Sequence, residues 1–159
     1  MITIAKTADE ISYQAMQTPA QKQVDGLINE LSKFDQVSMP LIHKFTPGLY
    51  TREIFMPKGT LVISMIHNTE HPFVITKGKV SVWIEGTGVV TYTAPYSGIT
   101  KPGTRRILYI HEDCSWMTFH PTDKTNPEEI VNDITYDKKR NECESIDLKT
   151  IKQLTNNEN

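Results

Sequence analysis

The chemistry in this sequence centres on histidine. In the segment GTLVISMIHNTEHPFVITKGKVSVW, His67 and His71 flank the polar run Asn68-Thr69-Glu70. If that run is the loop of a hairpin, the two histidines face each other, with Met65 opposite Phe73 and Ile63 opposite Ile75. Opposed Cβ atoms in such a pair stand about 4.5–5.5 Å apart. Two imidazoles at that separation can share one ion, whose bonds to nitrogen are about 2.0–2.1 Å. Alternation then sets Leu61, Ile63, Met65 and His67 on one inward face.

A second segment, KPGTRRILYIHEDCSWMTFHPT, supplies a third histidine. With Asp113-Cys114-Ser115 as its loop, Glu112 pairs with Trp116, Ile110 with Thr118 and Leu108 with His120, and Arg106 lies diagonally beside His120. The opposite face, with Ile107, Tyr109, His111, Met117 and Phe119, is equally apolar, so a slip of one residue exchanges His120 for His111.

The site expected from these segments is a divalent-metal centre of His67, His71 and His120, with Glu112 or a water completing the shell. Three neutral imidazoles with an open position suit Zn, Fe(II), Mn or Ni. Arg106 is placed at the rim as a bidentate donor to a carboxylate or phosphate. Trp116 adds an aromatic surface for a ligand. Glu70, beside the two histidines, is the candidate general base, and Glu112 is the other candidate catalytic carboxylate. Lys101 and Arg105 extend a basic lip around Pro102-Gly103. The competing reading is a buried hydrogen-bonded network of the histidines, Arg106 and Glu112 with no metal. Cys114 has no evident base beside it, which argues against a catalytic thiol.

These residues need a β framework. From Ile42 to Pro121 the chain consists of short β-branched and aromatic runs broken by Pro, Gly and Asp. Strands are expected over 50–56, 61–67, 72–76, 79–85, 89–94, 106–112 and 116–120. Turns are expected at Pro57-Lys58-Gly59, Gly78, Gly86-Thr87-Gly88 and Pro102-Gly103. Ahead of this segment, Thr18-Pro19 opens a helix to about Phe34, with Val24, Leu27, Ile28, Leu31 and Phe34 on one apolar face. After it, Asn126-Pro127-Glu128-Glu129-Ile130 reads as a capped, acidic helix start. Ile146, Leu148, Ile151 and Leu154 suit one further short helix in a polar tail. The division is thus an N-terminal helical arm over 1–41, a β-barrel over 42–121 and a helix with polar tail over 122–159.

A chain of 159 residues buries one good core. A formal net charge of -2 gives no basic field for nucleic acid. Two cysteines without metal or disulfide spacing fit a reducing, cytoplasmic setting. No apolar run approaches the length of a membrane span, and the N-terminus lacks the apolar stretch of a signal peptide.

The pattern of glycine, histidine, glycine and a later proline-glycine turn resembles the two motifs of the cupin superfamily. Gly59, His67, His71 and Gly78 stand where the first motif has its glycine, second histidine, glutamate and closing glycine. Gly103 and Arg106 stand where the second has its glycine and histidine. Met65 replaces the first histidine, His71 the glutamate and Arg106 the last histidine, so the usual ligand set is not carried over whole. The blocks HKFTPGLYTREIFMPKGT, IHNTEHPFVITKGKVSVW and APYSGITKPGTRRILYIHEDCSWMTFHPT resemble small cupin-like proteins encoded by bacteriophages. The resemblance implies a mainly β chain with a small antiparallel jelly-roll barrel, an N-terminal helix and a short C-terminal helical tail.

Two functional classes follow. One is a metal-dependent enzyme, or binder of a metal and a small anionic molecule, housed in the barrel. The other is a non-catalytic binding protein that sequesters a small molecule or docks on a host or virion protein. A homodimer is expected in either case, because a small barrel leaves edge strands to be covered.

Overall fold

The computed structural model describes residues 19–33, 35–136 and 144–147. Its framework is antiparallel β-structure built on two long strands. In chain order the elements are helix α1 (Pro19–Leu31), strands β1 (Leu41–Thr46), β2 (Leu49–Met56), β3 (Thr60–Ile63), β4 (His71–Ile84), β5 (Gly88–Thr93), β6 (Tyr96–Thr100) and β7 (Arg106–Pro121), helix α2 (Pro127–Ile134) and strand β8 (Glu144–Asp147).

Strands β4 and β7 pair with each other along most of their length and take part in both halves of the fold. The first part of β4 carries β6 and the last part carries β5. The C-terminal half of β7 carries β2 and then β1, and its N-terminal half carries β3 and then β8. Two half-sheets, β1-β2-β7-β4-β6 and β8-β3-β7-β4-β5, thus share one bent pair of strands. The Arg106 guanidinium, at the start of β7, lies 5.2 Å from the Phe73 ring centroid and 5.8 Å from that of Trp116, so the two inner faces look at each other. Among the described residues no ladder joins β1 or β8 to β5 or β6, and the sheet folds over without closing into a barrel.

The bend has a cause in the sequence. Buried positions on β4 are His71, Phe73 and Ile75, then Val80 and Val82, a change of phase by one residue. An inserted residue in one strand of a pair produces this change and sharpens the local twist. The β4–β7 register shifts at the same place, between Ile75 and Val80. Gly78 occupies the bulge with φ +94, and a Cβ there would stand 2.3 Å from the Asp113 carbonyl oxygen. Only glycine fits a left-handed position pressed against backbone.

This bulge corrects the expected strand plan. Gly78 is not a turn, and the segments 72–76 and 79–85 are one strand. Asp113-Cys114-Ser115 is not a loop either: β7 runs through it, so Leu108 pairs with Val62 and Val82, and His120 pairs with Tyr50. The hairpin expected at Asn68-Thr69-Glu70 is not a ladder, because β3 ends at Ile63 and pairs with β7 and β8. Its inward set is also different. Val62 lines the interior cavity, while Leu61 and Ile63 pack against α1. Strands β1, β6 and β8 were not foreseen.

Helix α1 has its expected place outside the sheet. Val24, Ile28 and Leu31 are buried with Ile63 against Leu61, Trp83 and Ile107, whereas Leu27 remains 38% exposed. Burying each of those three side chains contributes about 1.5–3 kcal/mol. Phe34 and Thr18 lie outside the described residues. Helix α2 starts as its sequence dictates: the Asn126 side chain accepts from the backbone amides of Glu128 and Glu129 at 3.0 and 3.2 Å, with Pro127 following the cap. Its Ile130 and Ile134 pack on Tyr50. Ile146 falls in β8 rather than a helix; Leu148, Ile151 and Leu154 lie outside the described residues. No helix among the described residues is long and apolar enough to cross a membrane.

Candidate metal and anion site

The two long strands explain how distant residues meet. Strands β4 and β7 pair antiparallel with Phe73 opposite Thr118, which sets His71 beside His120, and the bend at Gly78 and Cys114 brings the Arg106 end of β7 back over Phe73 and Trp116. His71 begins β4, His120 stands near the end of β7, and Arg106 begins β7. His67 arrives from the link between β3 and β4, which is pinned on both sides. Its carbonyl accepts from the Gly103 amide at 2.8 Å, and it forms an isolated bridge with Thr135. Neighbouring bonds run from the Asn68 amide to Ile134 and from the Tyr136 amide to Ile66. The segment following α2 therefore braces the backbone around His67.

The three histidines converge. One ligand nitrogen from each of His67, His71 and His120 lies within 4.8 Å of the others. Ring centroids are 4.5 Å apart for His67 and His71, 4.4 Å for His71 and His120, and 5.9 Å for His67 and His120. Nitrogens sharing one tetrahedral ion at 2.0–2.1 Å stand roughly 3.3 Å apart, a closure within reach of small ring rotations. The Nδ1 atom of His120 is buried without a hydrogen-bond partner. A buried polar atom left unpaired is costly, and a cation bound at that nitrogen would satisfy it. His120 Nε2 and the Thr118 hydroxyl share a 3.0 Å hydrogen bond, and His71 Nδ1 lies 3.2 Å from the Thr69 carbonyl.

All three imidazoles are held neutral, as ligation requires. Burial pushes His120 down to about 3, with His71 and Arg52 adding to the effect. Burial likewise drives His67 well below its ordinary value, reinforced by His71, His120, Arg52 and Arg106. His71 is lowered by burial and, more weakly, by Arg106, against the opposing pull of its bond to Thr69.

His67 and His71 open on a cavity of about 80 Å³, and His120 stands behind them against the His71 ring, outside the cavity lining. Arg106 lines the cavity, but as a buried residue, 8% exposed, and not as a rim group. Its Nη1 donates to the Thr100 hydroxyl at 3.0 Å, its face rests on Phe73 and Trp116, and its Nε is buried without a partner. Burial lowers its pKa from the ordinary arginine value, against a raising contribution from Tyr92. Trp116 also lines the cavity.

The two candidate carboxylates are not brought to this place. Glu70 is exposed and pairs with Lys101 at 2.6 Å, which also takes Lys101 out of the expected basic lip. Glu112 keeps the inward phase of β7 in its numbering but is exposed, because it sits opposite Lys79 where the ladder shifts register. Neither glutamate completes a metal shell, and the network of histidines, Arg106 and Glu112 does not form. His111 is on the outer face, where its Nε2 and the Ser81 hydroxyl share a 2.7 Å hydrogen bond, so His120 is the inward histidine. Cys114 is fully buried, and burial pushes its thiol up to about 11, consistent with an inert core residue.

Arg52 was overlooked. It lines the cavity and has a buried, unpartnered Nε. The signal was present in β2, where Tyr50, Arg52, Ile54 and Met56 alternate on one face and a single cation interrupts an apolar series. Ser64 and Thr100 also line the cavity, and Tyr50 stacks on His120 with centroids 5.9 Å apart. The Tyr50 hydroxyl and His43 Nδ1 share a 2.7 Å hydrogen bond behind it.

No family model matches the sequence, and no curated protein does. Among solved structures, ectoine synthase from P. lautus aligns with a TM-score of 0.52 and 12% identity, over 69% of this chain and 85% of that one. A cupin-2 domain containing protein from Shewanella frigidimarina aligns at 0.43 and 18% identity, over 64% of this chain and 98% of that one. The Cnp3 cupin domain of Schizosaccharomyces pombe aligns at 0.46 and 18% identity, over 58% and 67%. The last two are too distant to add weight, and identities this low speak for the fold alone. The comparisons do not bear on the resemblance to bacteriophage proteins. With its two half-sheets folded over a shared pair of bent strands and its three histidines converging, the chain has the cupin fold.

Proposed function

We propose that the cavity binds a divalent metal on His67, His71 and His120 and holds a small anionic molecule beside it through Arg106. The observation that carries this reading is the convergence of three neutral imidazoles, His71 and His120 buried and His67 half-buried, with the His120 Nδ1 atom left unpaired. Zn, Fe, Mn and Ni all suit three imidazoles, with the remaining positions open to water or ligand. Arg106 supplies a permanent cation close by, and among the described residues no carboxylate lines the cavity to neutralise it. A metal-dependent enzyme is compatible with this site; a protein of the same fold is named a synthase. The deciding experiment is elemental analysis of protein purified without a histidine tag, followed by metal titration: one equivalent supports the reading, and no uptake of any of the four metals sinks it.

A second reading is favoured by the same missing carboxylate. With Glu70 and Glu112 both outside the cavity, its lining among the described residues offers no carboxylate beside the histidines, which suits a non-catalytic binder that sequesters a small molecule. Docking on a host or virion protein belongs to this second reading. A cytoplasmic location and a homodimer are part of either proposal, and phage origin rests on the block resemblance alone.

A further inference from the structure

The proposed site has a direction, and the direction identifies the ligand class; the inference rests on the anion-binding reading above. On β2 the inward residues run Arg52, Ile54, Met56 from the histidine end toward the bend, and their partners on β7 are Thr118, Trp116 and Cys114. On the facing half-sheet β7 runs Arg106, Leu108, with Leu108 paired to Val62. Each half-sheet thus puts one arginine in the histidine-bearing part of the cavity, Arg52 half-buried and Arg106 buried, and apolar side chains one step nearer the floor. Met56, Val62 and Leu108 belong to the buried core that closes the floor. The two guanidiniums each keep a buried Nε without a partner, and among the described residues no carboxylate lines the cavity. A buried cation with no counter-charge is unfavourable, and the faces of Phe73 and Trp116 offset that for Arg106 only in part.

We infer that the ligand is a small carboxylic acid with an apolar tail. Its carboxylate sits between Arg52 and Arg106 beside the histidines, and its tail points inward against Ile54, Val62, Leu108 and Trp116. Guanidinium matches carboxylate as a planar fork, and phosphate offers the same head chemistry but no tail for the apolar floor.

The test is calorimetry with acetate, butyrate, hexanoate, hexanol and inorganic phosphate, on chelated and on zinc-loaded protein. Affinity should rise about fourfold per added methylene along the carboxylate series until the floor is filled, and hexanol should bind at least tenfold more weakly than hexanoate. Arg52→Gln and Arg106→Gln should each weaken hexanoate about tenfold and leave hexanol unchanged, with thermal unfolding as the check that each variant folds. A flat chain-length series in the wild-type protein overturns the inference, as does phosphate bound as tightly as hexanoate. Because the series is read in chelated protein too, failure to take up metal leaves this result intact, and metal uptake with a flat series defeats this inference alone.

Discussion

His71 and His120 hold their ring centroids 4.4 Å apart although one opens β4 and the other stands at the far end of β7. No local turn joins them; the antiparallel β4–β7 ladder does, since Phe73 pairs with Thr118 and the same register sets His71 beside His120. Removing either ring therefore leaves the ladder in place and takes out a ligand. His71→Ala and His67→Ala are each expected to lower zinc affinity by at least tenfold, and the double variant to abolish stoichiometric uptake while the far-ultraviolet circular dichroism is unchanged. Arg106→Ala should leave metal content at one equivalent. A double variant that still binds one equivalent would remove the metal site from the proposal.

The neutral histidines make stability depend on pH in a definite direction. In the unfolded chain an imidazole takes up a proton near pH 6.5, whereas burial keeps His120 neutral down to about 3 and lowers His67 and His71 as well. Below pH 6.5 the unfolded state therefore binds more protons than the folded one, and stability falls as pH falls. Above pH 6.5 both states are neutral and the effect vanishes. Each such histidine costs up to about 1.4 kcal/mol per pH unit in this window. Thermal unfolding of metal-free protein between pH 7 and 5 should show the decline, and His120→Gln should make it shallower, with His67 and His71 carrying the remainder.

Much of this was legible from local patterning. The Asn126-Pro127-Glu128-Glu129 cap, the α1 stripe and the inward phase of Arg106, Leu108, Trp116 and His120 all rest on short-range rules that the structure obeys. The phase of β7 survived a mistaken loop because the supposed hairpin and the actual strand place the same even-numbered residues inward. What failed was longer in range. Gly78 reads as a turn because glycine with positive φ serves turns and bulges alike, and only the pairing partner distinguishes them. Strand β6 carries little local signal of its own, with Gly98 opposite the Phe73 ring, and is defined by its pairing with β4. Glu112 has the right alternation, yet the register shift beside it turns it to solvent.

The bulge can be tested by contrast. Gly78 and Gly86 both have positive φ, +94 and +78, but only Gly78 has backbone where a Cβ would go. Gly86→Ala should cost about 1 kcal/mol, the conformational penalty alone. Gly78→Ala adds a collision with the Asp113 carbonyl that neither strand can relieve without giving up pairing, for a total of about 2–4 kcal/mol. Denaturant unfolding of the two variants should separate them; equal losses would mean that the close approach is not structural.

Strand β1 leaves apolar groups on an open edge. Leu41, Ile42 and Phe45 are 41%, 51% and 37% exposed, with one side of the strand paired to β2 and no ladder on the other among the described residues. Unpaired edges of this kind invite pairing with another chain. The expected homodimer should appear as twice the chain mass in light scattering, and Ile42→Lys should shift it toward monomer. A monomeric mass across a concentration series would exclude the dimer.

Helix α2 should govern metal affinity without touching the metal. Its Ile130 and Ile134 pack on Tyr50, whose ring stacks on His120, and the residues after it hold the backbone on either side of His67. Two of the three ligands are thus positioned by a helix that supplies no ligand itself. Ile130→Ala should destabilise the protein by about 2–5 kcal/mol through the cavity it leaves, and by loosening Tyr50 it should also weaken zinc binding. A stability loss alone would move affinity only through the unfolded fraction, which is negligible well below the transition. The measurement is therefore zinc titration at low temperature, where the variant is fully folded. A severalfold weaker affinity under those conditions identifies α2 as a positioning element, and wild-type affinity would confine its role to the core.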